Sequence, residues 1–246
     1  MLKIILIFLL GIVACYFIAK AILKFVPKKV QPLISIALLI IAALLAYLSY
    51  QGVMTPIKFN QEKTKRYSKV IDNLKMIRKG QTAHKRVTGK YAPNGADLVK
   101  FIDTAKFAVT EARNETRTIN VGGGLSVEKE FRVVDTTGYT DVRASFVGKN
   151  YKTMMKVPDT DTEFTMKLGE VQKMHGYMAP VYEVSVDKKV VLAGMDAGLI
   201  KQELEAYAND QVKGSVVKVG SLDEVSDSGN WPTDYDQAEI QALIKK

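Results

Sequence analysis

Residues 33–50 read LISIALLIIAALLAYLSY, eighteen positions in which Ser35 and Ser49 are the only polar side chains. A helix of roughly 20 apolar residues crosses a hydrocarbon core about 30 Å thick. This stretch therefore reads as a membrane span from Leu33 to Tyr50, with Tyr47 and Tyr50 at the depth of an aromatic belt. Upstream, residues 4–19 form a second apolar run, from Ile4 to Ala19, interrupted only by Gly11. Between the runs lie Pro27 and Pro32, with Lys24, Lys28 and Lys29. Proline ends helices and lysine stays at the headgroups, so the spacing predicts a transmembrane helical hairpin over residues 1–50.

Ile12-Val13-Ala14-Cys15 also fits the pattern at which bacterial lipoproteins are cleaved and lipidated on cysteine, and Cys15 is the one cysteine of the chain. The apolar run continues past Cys15, which favours a plain membrane helix. Lys20, Lys24, Lys28 and Lys29 flank the hairpin turn, while Lys3, Lys58, Lys63, Lys65, Arg66 and Lys69 flank the other side. That tally leans slightly toward a cytoplasmic domain, but large domains translocate largely regardless of charge.

The composition divides at the same place. Of the first 50 residues, 39 are apolar, against 77 of the remaining 196. The net charge of +9 divides too: five lysines and no acid in residues 1–50, leaving 30 basic against 26 acidic side chains beyond. An anchor joined to a nearly balanced domain excludes a freely soluble enzyme, a disulfide scaffold and a disordered chain.

Residues 51–60 read as a juxtamembrane link, and a long amphipathic helix is expected over 61–87. Its stripe is Tyr67, Val70, Ile71, Leu74 and Ile77, at spacings of three and four. Gly89 stops it, a turn follows through Pro93, and a short helix is expected over 96–103. From Phe107 the period changes to two. Strands are expected at 107–112, 127–134, 141–147, 163–168, 181–186 and 215–220, with a helix over 197–209 presenting Leu199, Ile200, Leu204 and Tyr207 on one face. Helices first and strands later indicate an α+β domain over 61–235 with a small, mostly antiparallel sheet, and a C-terminal tail at 236–246.

No catalytic constellation emerges. Gly122-Gly123-Gly124 lacks the Gly-Lys-Ser/Thr of a phosphate loop and reads as a loop. His84 and His175 are the only histidines, and no Cys/His zinc set can be assembled; no metal or other cofactor is expected. Asp159, Asp161 and Glu163 alternate as in a calcium loop but lack its glycine and distal glutamate, so they read as a polar turn. The basic face of the long helix lacks the interleaved aromatics of a single-strand binder, so no nucleic acid is expected. Lys58, Lys63, Lys65 and Arg66 are candidate contacts to anionic headgroups. Trp231, in Gly229-Asn230-Trp231-Pro232, is either a partner anchor or a core plug.

Several runs carry a resemblance: Pro56-Ile57-Lys58-Phe59-Asn60, Arg66-Tyr67-Ser68-Lys69-Val70-Ile71, Gln81-Thr82-Ala83-His84-Lys85, Tyr151-Lys152-Thr153-Met154-Met155-Lys156-Val157-Pro158 and Gly229-Asn230-Trp231-Pro232. Over about residues 54–236 the chain resembles an uncharacterised membrane-anchored family of Bacteroidota-type bacteria. More weakly, it is similar to pseudopilins of type II secretion and type IV pilus machines. Leu74, Ile77, Arg78, Gln81, Gly89 and Tyr91 stand in the roles of their Leu-x-x-Ile-Arg-x-x-Gln stretch and Gly-x-Tyr turn. It departs from them in lacking a prepilin-peptidase site and a glutamate in the membrane helix, and in having two apolar segments.

The resemblance implies an inner-membrane protein with a periplasmic domain. The expected function is a non-enzymatic structural or assembly subunit of an envelope or secretion machine, with protein partners or a homo-oligomer and no small-molecule substrate. The alternative is a membrane-tethered ligand- or peptide-binding module.

Overall fold

The structure is a computed structural model that describes residues 10–237, except 12, 14–15, 22–23, 25–26, 28–29, 123–124, 174–175 and 209. The chain divides into two units, Met1–Lys58 and Phe59–Lys246.

In the first unit the described residues of 10–21, together with Lys24, are helical, and Pro27 is not. Helix α1, Gln31–Thr88, then begins and runs for 58 residues. It is the one described helix long and apolar enough to cross a membrane, and its apolar window has no buried residue. A second span paired with it as a hairpin is not seen among the described residues. The link expected at 51–60 is helical throughout, with Pro56 inside the helix, and α1 starts at Gln31 rather than near residue 61. A proline deletes one backbone hydrogen bond. Here the apolar run before it and the packed stripe after it keep the helix continuous.

In the second unit the stripe does what its spacing predicts. Tyr67, Val70, Ile71, Leu74 and Ile77 are all buried, joined by Phe59, Met76 and Ala83. Gly89, at φ 78°, ends the path of α1. Helix α2, Gly95–Thr104, is capped by Asn94, whose side chain accepts the Asp97 N–H at 2.8 Å. It buries Leu98, Phe101 and Ile102 against the same core.

Two antiparallel sheets follow. Among the described residues, strands β1, Lys106–Gly122, and β2, Leu125–Asp141, pair only with each other. Strands β3, Thr165–Gln172, β4, Met178–Asp187, and β5, Val216–Gly220, form a three-stranded meander in that order. The inward residues Val184, Val186, Val217 and Val219 of the meander join the core.

Two sequence expectations change, and one further turn was not foreseen. Residues 142–146, expected in a strand, form a 3-10 helix. Val142 and Phe146 are buried four positions apart while Ala144, which a strand would also bury, is exposed. Lys188–Val191 is a helical turn, α3, capped by the Asp187 carboxylate. The helix expected over 197–209 is α4, Ala197–Leu204; Tyr207 lies beyond it and is 76% exposed, while Glu203 is buried.

Candidate functional site

Of the anchor residues, Ile4 lies outside the described residues, and Ala19, Leu33 and Tyr50 are helical and exposed; Cys15 also lies outside the described residues. Exposed apolar side chains on a helix are what lipid contact requires. Lys58 and Lys65 are also exposed. Lys63 and Arg66 instead hold the domain together. Lys63 Nζ pairs with Glu203 at 2.8 Å. Arg66 pairs with Glu62 at 3.0 Å and donates to the carbonyls of Val191 and Ala193 at 3.1 and 2.9 Å. Trp231 is 8% exposed and belongs to the core, and its indole N–H donates to the Asp236 carboxylate at 3.2 Å. It packs as a plug, with the Gly229 backbone lying against its ring.

Behind these residues sits a buried polar cluster. Lys188, with no exposed surface, donates through Nζ to the Glu203 carbonyl and the Val212 carbonyl, both at 2.7 Å, and to Glu203 Oε1 at 3.3 Å. The Tyr67 hydroxyl donates to the same Oε1 at 3.3 Å. Burial lowers the Lys188 ammonium's pKa, against the attraction of Glu203. A buried lysine invites a catalytic reading, but all three of its donors serve the fold. A second buried lysine, Lys75, donates to the Tyr235 carbonyl and pairs with Asp236 at 2.8 Å. Among the described residues no three His, Cys, Asp or Glu side chains converge as metal ligands.

The cluster gives the domain an alkaline limit. Burial, with Glu203 nearby, pushes the Tyr67 phenol far above its ordinary value, and burial does the same to Tyr182. The folded state keeps those protons when the unfolded chain has lost them. Their contribution is therefore full below pH about 10 and falls above it, by about 1.4 kcal/mol per pH unit for each phenol. Lys188 acts oppositely. Its folded pKa is depressed, so its contribution rises with pH in the window below its unfolded value. Urea titrations at pH 8, 10 and 11 should show the loss setting in above pH 10, with a shallower slope in Tyr67→Phe.

The remaining motifs have structural roles. Gly122 pairs with Leu125 at the end of the β1–β2 ladder, and Gly123 and Gly124 lie outside the described residues. His84 Nδ1 sits 2.6 Å from the Lys90 carbonyl, and its ring lies against Phe101, tying down the end of α1. Asp159, at φ 60°, pairs with Lys69 at 2.7 Å, which lowers its carboxyl's pKa. His175 lies outside the described residues.

Two surface features carry no such internal duty. One is a cleft of about 520 Å³ lined by Gly89, Lys90, Tyr91, Leu168, Gly169, Glu170, Pro180 and Val181. The other is the β1–β2 arm. Its strands are 17 residues each, and Phe107 roots it against the core beside the Arg86 guanidinium. Beyond Phe107, almost every described side chain on both faces is exposed or half-buried, including Val109, Phe131, Val134 and Tyr139. Among the described residues, each strand has one unpaired edge. A two-stranded ribbon with no sheet or helix on either face is marginal in water. Its charges gather on one face: Glu115 lies 3.0 Å from both Arg113 and Arg117, and Arg113 is 3.2 Å from Asp135. Sequence reasoning expected the strands but missed the arm. Its signal was the polar run Thr-Glu-Ala-Arg-Asn-Glu-Thr-Arg-Thr at 110–118, where neither face alternates because neither is buried. Compared with protein-family models, with curated proteins and with solved structures, the chain matches none.

Proposed function

We propose that this chain is a non-enzymatic, membrane-anchored assembly subunit of a bacterial envelope or secretion machine. It sits in the inner membrane through a helical hairpin, its domain on the periplasmic side. The observation that carries the reading is the arm: two long strands, exposed on both faces and rooted at one end. Such a ribbon gains stability when another chain adds a strand to its edge. The apolar half of α1 supports the anchor, and the resemblance to pseudopilins supports the machine and the side of the membrane.

The cleft beside Tyr91 supports the second reading, a tethered ligand- or peptide-binding module, because its volume falls in the range of ligand sites. The test is extraction in a mild detergent followed by native mass measurement. The assembly reading expects a protein mass above the 27.3 kDa of one chain, or a co-purifying protein. A strict monomer without partners would overturn it. The side of the membrane is read by placing a cysteine at the exposed Ser228 in a Cys15→Ser background. Labelling of intact cells by an impermeant thiol reagent is expected, and labelling only after lysis refutes the periplasmic placement.

A further inference from the structure

The geometry points to a second copy of this chain as the partner of the arm, bound through the free edge of β1 about a two-fold axis at Asn114. This rests on the assembly reading above and names the partner.

Two identical strands meeting edge to edge in antiparallel fashion are related by a two-fold axis normal to the sheet. Each residue then faces one equally far on the other side of a central residue. Strand β1 spans Lys106–Gly122, so its midpoint is Asn114. Centred there, Glu111 faces Arg117 of the second copy and Arg113 faces Glu115. The reciprocal contacts repeat on the other side of the axis. All four charges between Val109 and Ile119 therefore meet the opposite sign. Val109 faces Ile119, both exposed in the single chain. On the other face Thr110 meets Thr118 and Ala112 meets Thr116.

The neighbouring registers fail. Centred on Arg113, that residue faces itself and Glu111 faces Glu115. Centred on Glu115, that residue faces itself and Arg113 faces Arg117. Like charges directly opposite destabilise a pair of strands. Centred on Ala112 or Thr116, only one Glu–Arg combination is matched, so the Asn114 register is the one that pairs all four charges. β2 matches itself less well: centred on its midpoint, Val133, it brings no opposite charges together, and centred on Phe131 it pairs only Glu130 with Arg132 and leaves Lys129 and Glu128 facing valines. β2 also carries the residue inserted at Thr137, whereas β1 pairs with β2 without interruption on its own side from Lys106 to Asn120. A partner of a different sequence would have no need of a charge pattern that mirrors itself. Exposed ion pairs contribute little affinity but discriminate strongly between registers. The affinity comes from the backbone ladder, and two ribbons become a four-stranded sheet in the order β2-β1-β1-β2.

The test uses the full chain in detergent, in a Cys15→Ser background. Asn114→Cys is expected to give a disulfide-linked dimer on mild oxidation, because the two residues meet at the axis. Ala112→Cys alone is expected to give none, and Ala112→Cys mixed with Thr116→Cys is expected to give one. Arg113→Glu, which sets a carboxylate opposite Glu115 on each side of the axis, should weaken the dimer by about tenfold. Arg113→Glu with Glu115→Arg restores it at unchanged composition. Failure of Asn114→Cys to cross-link, equal cross-linking by Ala112→Cys alone, or failure of the double exchange to rescue overturns the proposal. A native complex that ignores all arm variants sinks self-pairing and leaves the assembly reading standing, whereas a monomer sinks both.

Discussion

Replacing Lys188 by Met lowers the unfolding free energy of the domain by about 3–5 kcal/mol, a large share of the margin of an ordinary domain. The two side chains have nearly the same length, so the loss does not come from a cavity. It comes from what the ammonium leaves behind. Glu203 O closes the last turn of α4, and Val212 O belongs to the following loop; both accept from Lys188 at 2.7 Å. Glu203 O would keep the Ala206 N–H at 3.3 Å, but Val212 O would lose its lysine donor, and a buried group stripped of its partner costs about 1–3 kcal/mol. The Glu203 carboxylate, 5% exposed, would keep Lys63 and Tyr67 but lose its most buried counter-charge. A cation at the end of a helix also answers the helix dipole, a smaller share of the effect. Urea unfolding of the detergent-solubilised protein measures the change. Lys188→Met combined with Glu203→Gln should cost less than the sum of the single changes, because the second removes the charge the first leaves behind. Additive losses, or a drop below about 1 kcal/mol for Lys188→Met, would mean the cluster does not hold α3 and α4 together.

The frame of the domain was legible in the sequence and its locks were not. The stripe from Tyr67 to Ile77 announces a helix because burial on one face imposes a period of 3.6, and every member is buried. β4 and β5 were legible for the parallel reason, since each puts one face in the core; β3 has no buried residue and lies at Thr165–Gln172 rather than 163–168. Residues 142–147 misled because Val142 and Phe146 satisfy a helical spacing of four as well as a period of two. The link expected at 51–60 misled because a proline costs one backbone hydrogen bond locally, while the helical segments before and after it carry the helix through. The cluster around Lys188 was invisible. Lys63, Lys188, Glu203 and Val212 are far apart in sequence, and a buried lysine reads like a solvated one until the fold surrounds it. The arm was half-visible: its charges were on the page, but their mirror arrangement acquires meaning only once β1 has definite ends and an open edge.

Gln81→Leu is expected to cost about 2–4 kcal/mol, and the reason explains why a glutamine stands at the end of an otherwise apolar stripe. Gln81 has no exposed surface. Its Oε1 accepts the Ala92 N–H at 2.8 Å and its Nε2 donates to the Ala92 carbonyl at 3.1 Å. The side-chain amide thus pairs with both backbone groups of one residue, as a neighbouring strand would. Ala92 is itself fully buried in the turn that carries the chain from α1 to α2. Two orphaned buried backbone groups set the magnitude, and the leucine's extra apolar burial offsets only part of it. Gln81→Glu sharpens the test. Its carboxyl can accept the N–H, but it can donate to the carbonyl only while protonated. Its folded pKa must therefore rise above the unfolded value of about 4.3. The variant should be most stable below that value and lose stability as the pH climbs through the folded pKa, whereas Gln81→Leu should lose the same amount at every pH. Urea midpoints of both variants at pH 4 and pH 7 decide it. Equal losses for Gln81→Glu at the two values would mean that the amide's donor face does no work, and that the turn at Ala92 is held by the packing of Tyr91 and α2 alone.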